Sequence, residues 1–167
     1  MTPDEKRNLI ADFEKTAEAF EDVPGFSPEV LTFRPFAEAW TIHEHVVHCL
    51  EVDAAFFHRY RRAVAQPGTA VPGFDQSWTA ALDYHTHDLA ATLQLIRALR
   101  RYMAAHLRTL VQRDWTKLAY VHSQSGRADL ENGIAGVIDH VRFHRELIDR
   151  NLGLWNRAGD CAPQRAV

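Results

Sequence analysis

A chain of 167 residues with 46% hydrophobic and 25% charged side chains is long enough for one domain with a buried core. Its net charge of −3 with histidine neutral offers no basic surface to nucleic acid or an anionic membrane, and no apolar run approaches the ~20 residues that span a bilayer. The opening residues, Met1-Thr2-Pro3-Asp4-Glu5-Lys6, lack the apolar stretch of a secretory signal, so a cytoplasmic location is expected.

The pattern predicts four helices and no strands. The first opens with Thr2 as N-cap and Pro3 behind it. Leu9, Ile10, Phe13, Ala17 and Phe20 form its apolar stripe up to Pro24-Gly25. Residues 26–40 read as irregular, with Pro28 and Pro35 as breakers. The second helix starts at a capping box, Thr41 with Glu44, in which each side chain satisfies a backbone N–H of the other. It runs to about Ala65, before Gln66-Pro67-Gly68.

The third is read as one long helix from Trp78 to Val111, because Trp78, Leu82, Leu89, Leu93, Ile96, Leu99, Met103, Leu107 and Leu110 keep a helical spacing. The fourth runs from about Asp129 to Leu152, with Gly153 as its stop. The domain is therefore expected to span 1–156, followed by a polar tail over 157–167 that is expected to be mobile. Connections longer than ten residues exceed the tight turns of an up-and-down bundle. They predict crossovers, or loops at 23–40, 67–77 and 112–128 folded over one end as pocket walls. The expected fold class is all-α, a four-helix bundle with long crossover connections.

Ten histidines are the one compositional excess. His140 and His144 stand four residues apart on the fourth helix, so their rings project from one face and can hold one divalent cation. A third imidazole from a neighbouring helix would leave the ion an open position, the arrangement of a catalytic site. His48 and His45 on the second helix both fit that role, because the helix is apolar on most sides and its periodicity does not choose between them. The run His43-Glu44-His45-Val46-Val47-His48 is not a zincin motif, since position 47 is valine and Glu44 serves the cap. His85 falls between Leu82 and Leu89. It reads either as a core histidine bonded to a carbonyl or carboxylate, or as a group that supports the metal site or polarises substrate. His58, His87 and His122 read as surface, and His106 lies at the edge of the third stripe. Cys49 and Cys161 belong to no paired motif and read as reduced thiols, Cys49 filling core volume. Trp40, Trp78, Trp115 and Tyr84 either line an apolar pocket or anchor helix ends.

The segment Trp40-Thr41-Ile42-His43-Glu44-His45-Val46-Val47-His48 resembles the Trp-Ser/Thr-x-x-Glu/Gln-x-x-x-His signature of the DinB/YfiT-like superfamily. Val137-Ile138-Asp139-His140-Val141-Arg142-Phe143-His144 resembles that family's second signature, His-x-x-x-His on the last helix. The resemblance covers nearly the whole chain and implies His48, His140 and His144 as ligands of one divalent metal ion, nickel, zinc, iron or manganese. It also implies frequent homodimers, and metal-dependent transfers or isomerisations that use low-molecular-weight thiols such as bacillithiol or mycothiol. Thiol-dependent S-transferase chemistry on a small molecule is the expected function, with a metal-dependent hydrolase and a non-catalytic stress-related bundle as alternatives. The sequence shows no counterpart of the extra C-terminal domain of mycothiol-dependent maleylpyruvate isomerases, so that reaction is not expected.

Overall fold

Each long helix begins where a side chain takes up a backbone N–H that the helix itself leaves unpaired. The computed structural model describes residues 1–75 and 77–160. In chain order the elements are α1 (Pro3–Lys15), a short α2 (Pro28–Thr32), α3 (Ile42–Ala65), β1 (Thr69–Val71), a single turn α4 (Trp78–Ala81), α5 (Leu89–Arg108), β2 (Ala119–His122), β3 (Gly126–Asp129) and α6 (Leu130–Asp160). Thr2 with Glu5 and Thr41 with Glu44 form reciprocal capping boxes at α1 and α3. Asp88 accepts from the Ala91 N–H at 2.9 Å to start α5, and Asp129 accepts from the Asn132 N–H at 3.0 Å to start α6.

α3 packs on α5 and α6, and α1 packs on the same two helices. The first two long helices, α1 and α3, therefore face each other across the bundle diagonal, as do the last two, α5 and α6, whereas α3 and α5 are direct neighbours. A diagonal step cannot be made by a tight turn, which is why the α1–α3 and α5–α6 connections are long. This is a four-helix bundle with crossovers. Among the described residues no helix is long and apolar enough to cross a membrane.

Two apolar clusters fill it. One gathers Phe13, Phe56, Tyr60, Met103, Leu107, Leu130 and Ile134, and the other Phe20, Val46, Cys49, Leu93, Ile96, Val141 and Ile148. Between them lies a buried ion pair, Asp53 of α3 with Arg100 of α5, both fully enclosed.

Three departures from the sequence reading have local causes. The connections at 69–71 and 119–129 form a small three-stranded sheet, β1 parallel to β2 and β2 antiparallel to β3, with Tyr120 opposite Thr69 and Ala128. Strands of three and four residues are too short to show an alternating pattern. The hairpin turns at Gly126, whose φ of +78° suits glycine, and Gly133 lets α6 approach Phe56 and Tyr120, because a Cβ there would lie 3.0 Å from the Phe56 ring and 3.2 Å from the Tyr120 hydroxyl. The long third helix is broken: Asp83 takes a left-handed φ of +46°, and α5 starts only at its own cap, Asp88. Trp78 and Leu82, which continue the helical spacing, are half exposed. Gly153 does not stop α6, because it keeps helical geometry without the positive φ of a C-terminal cap, and the helix runs on through Arg157 to Asp160. Residues 161–167, which include Cys161 and the rest of the expected tail, lie outside the described residues.

Candidate metal centre

α3 and α6 run antiparallel, which brings the second turn of α3 beside the middle of α6. Asn151 of α6 donates from Nδ2 to the carbonyl of Trp40, just ahead of α3, at 2.8 Å and fixes this alignment. At that level His48, His140 and His144 meet. The Nε2 atoms of His48 and His140 lie 3.1 Å apart, as do those of His140 and His144. The three residues each offer a ligand nitrogen within 4.8 Å of the others. A cation held at imidazole bond lengths of about 2.05 Å sets neighbouring nitrogens roughly 2.9–3.4 Å apart for angles from octahedral to tetrahedral. The His48–His140 and His140–His144 spacings fall inside that window and the third pair lies within 4.8 Å, so the donor set fits a divalent ion.

Burial sets the charge state. His48 and His144 are buried and His140 is half-buried. Loss of solvent pushes the pKa of His48 down to about 3, helped by the neighbouring His140 and His45. The same cause takes His140 to about 4, with Arg100 adding to the effect, and His144 to about 2, with the three other imidazoles adding. All three rings are neutral at pH 7, the form in which imidazole binds metals.

His45 is not part of the converging set. It is buried one turn before His48, its Nδ1 lies 2.9 Å from Nδ1 of His144, and burial takes its pKa down to about 4. No local pattern signals this contact, because it joins residues 99 apart on two helices.

The histidines floor a cleft of about 400 Å3. Phe36, Trp40, Phe143 and Leu147 supply its apolar walls, and Glu38 and Arg150 are the ionic groups on it. The Trp40 ring stacks on His144 at 14° and meets His48 edge-on with centroids 4.8 Å apart. Arg34 holds the wall in place, donating to the Ala39 carbonyl and to Glu44 Oε1 at 2.8 Å. A larger groove of about 590 Å3, beside His58, Arg61, Tyr102 and His106, contains none of the converging histidines.

His85 stands apart. It sits in the turn between α4 and α5 with a 40% exposed side chain, 2.9 Å from Glu44 Oε1, and it does not line the cleft. The carboxylate-bonded alternative describes it, but at the surface and not in the core. His106 meets the Tyr60 hydroxyl at 3.3 Å, and His122 accepts the N–H groups of Gln124 and Ser125 in the hairpin. Of the aromatic candidates only Trp40 lines the cleft, since Trp115 and Tyr84 are buried in the bundle and Trp78 is exposed beside Phe74. Cys49 is buried beside Asp53, and desolvation pushes its thiol far above the usual range, so it is no nucleophile.

Residues 9–148 match the family model of the DinB superfamily. No curated protein matches the chain. Among solved structures, YfiT from Bacillus subtilis, described as a probable metal-dependent hydrolase with an unusual four-helix bundle topology, superposes with a TM-score of 0.83 at 21% sequence identity, over 95% of this chain and 90% of that one.

Proposed function

The chain belongs to the DinB superfamily, and from that membership together with the histidine cleft we propose that it is a divalent-metal-dependent enzyme with His48, His140 and His144 as the metal ligands. The observation that carries this reading is the approach of Nε2 atoms from two helices at 3.1 Å on the floor of an open cleft. A divalent ion bound by three neutral imidazoles supplies Lewis acidity that acidifies a water or thiol nucleophile and polarises the group attacked.

The chain's own groups do the rest. Trp40, Phe36, Phe143 and Leu147 take up the apolar body of a small substrate and exclude water from it, while Arg150 and Glu38 meet its polar ends. Phe36 and Phe143 are each 54% exposed, so both await an apolar contact at the mouth of the cleft. Cys49, buried and protonated, is not available as a nucleophile, and on this reading the nucleophile is a water or a small thiol.

Hydrolysis is the reading best supported, because it needs only water and is the activity ascribed to YfiT. Thiol-dependent transfer is the second reading, favoured by the room that the open mouth of the cleft leaves for a second small molecule. The test is elemental analysis of protein purified without a metal-affinity column, beside His48→Ala and His144→Ala. The expected result is one equivalent of a divalent metal in the parent and none in either variant. Assays of esters and amides with and without a small thiol then separate the two reactions. A parent that carries no metal and takes none up would end the enzymatic reading.

A further inference from the structure

A neutral imidazole carries one N–H and one lone pair, so the partner of one nitrogen dictates what the other can do. His48 Nδ1 and His140 Nδ1 are buried and meet no hydrogen-bond partner among the described residues. His144 differs: its Nδ1 lies 2.9 Å from Nδ1 of His45, and both residues are buried. Two ring nitrogens at that distance, each on a neutral ring, must share one proton. If His144 turns a lone pair at Nε2 toward His140 and His48, its proton resides on Nδ1 and His45 Nδ1 accepts it. His45 then carries its own proton on Nε2, the atom left without a partner among the described residues.

We infer that His45 is a positioning residue: it accepts the Nδ1–H of His144, fixes that ring as the tautomer with a free Nε2 lone pair, and aims it at the point shared with His48 and His140. This inference rests on the three-histidine reading of the site and goes beyond it, because it assigns work to a histidine at a position that the first family signature leaves unspecified. The hydrogen bond also orients the ring, since among the described residues His144 is the only one of the three whose far nitrogen is held by another side chain. Trp40 keeps the acceptor in place, with its ring centroid 5.6 Å from that of His45 and 5.9 Å from that of His144.

The test measures affinity and proton position, not turnover. Zinc and cobalt affinities are determined by chelator competition for the parent, His45→Leu and His45→Asn. The leucine variant fills the space without an acceptor, whereas the asparagine Oδ1 accepts close to where Nδ1 stood. His45→Leu is expected to weaken binding about 10–100-fold, the usual effect of losing a group that orients a ligand, while still taking up one equivalent at saturation. His45→Asn is expected to restore affinity to near that of the parent. Two-bond nitrogen–proton NMR spectra of the metal-free parent are expected to place the His144 proton on Nδ1. The inference is overturned by a leucine variant that binds as tightly as the parent, by one that takes up no metal at any concentration, which would make His45 itself a ligand, or by a proton on His144 Nε2. If the parent binds neither ion the metal reading fails, and the proton position in the metal-free protein still decides the role of His45.

Discussion

α3 carries two buried polar groups barely more than one turn apart that face opposite fates. Asp53 meets Arg100 through two parallel bonds, Nε to Oδ2 at 2.6 Å and Nη2 to Oδ1 at 2.7 Å. The remaining Arg100 donor goes to the Phe13 carbonyl at 3.1 Å and to the Thr16 hydroxyl, with the guanidinium over the Phe13 ring. Burial pushes the Asp53 carboxyl up and the guanidinium opposes it. Each nitrogen of that guanidinium and both carboxylate oxygens have a partner within the protein. Five residues earlier, His48 turns its Nε2 toward other imidazole nitrogens, and its Nδ1 has no partner among the described residues. A closed network braces the fold, whereas an open convergence of lone pairs has its use only when something else arrives.

The largest effect expected from this contrast is at the closed network. Asp53→Ala strips a fully buried guanidinium of its counter-charge and is expected to destabilise the protein by about 3–5 kcal/mol, read from urea or thermal unfolding. The fraction that stays folded should still bind one metal ion. A loss below about 1 kcal/mol would show that the pair is not a brace and would dissolve the comparison.

At the open cluster the effect comes from the ligand. With free zinc 100-fold above its dissociation constant, the parent is expected to gain about 2.7 kcal/mol of stability. His48→Ala, His140→Ala and His144→Ala should gain none. If one of them lost as much stability in the metal-free state as Asp53→Ala does, that histidine would belong with the brace and not with the site.

The two regions were unequally legible in sequence, and the reason is physical. α3 could be bounded at both ends because its cap, Thr41 with Glu44, and its breaker, Pro67, act within a few residues. The His140/His144 pair was readable because a helix fixes the geometry of residues four apart. The choice of His48 over His45 was not, since it depends on how α3 is rotated against α6, and a helix apolar on most sides does not encode that; the family resemblance supplied it. Nothing in the sequence sets Asp53 and Arg100 apart from other charged residues, because it is the packing of α5 on α3 that encloses both. The break between α4 and α5 was hidden because the apolar spacing continues through it, while the decisive residues are a left-handed Asp83 and a new cap at Asp88.

Asn151 gives the next, smaller test, because it is a paired polar group placed at the open site. It is fully buried and donates to the Trp40 carbonyl at 2.8 Å. Asn151→Leu leaves that carbonyl without its side-chain partner and is expected to cost about 1–3 kcal/mol. It also frees the tryptophan that packs on His48 and His144, so metal affinity should fall as well, unlike in Asp53→Ala. A stability loss with unchanged affinity would show that Trp40 is held by the histidines and not the reverse.

Glu44 offers the smallest effect and refines the distinction, because it lies between the two kinds of environment. Burial raises its pKa, but the Thr41 backbone N–H and the Arg34 and His85 side chains outweigh that, and the net result lies below the ordinary carboxylate value. A carboxyl held lower in the folded than in the unfolded chain adds stability above the unfolded pKa, and this is lost as pH falls through the folded one. Glu44→Gln should therefore be less stable than the parent near pH 7, and the gap should narrow as the pH drops below about 4.5, the ordinary glutamate range. Unfolding midpoints of the two proteins across pH 3–7 measure it. A constant gap would mean that Glu44 contributes its capping bonds alone, with the Arg34 charge adding nothing to the wall of the cleft.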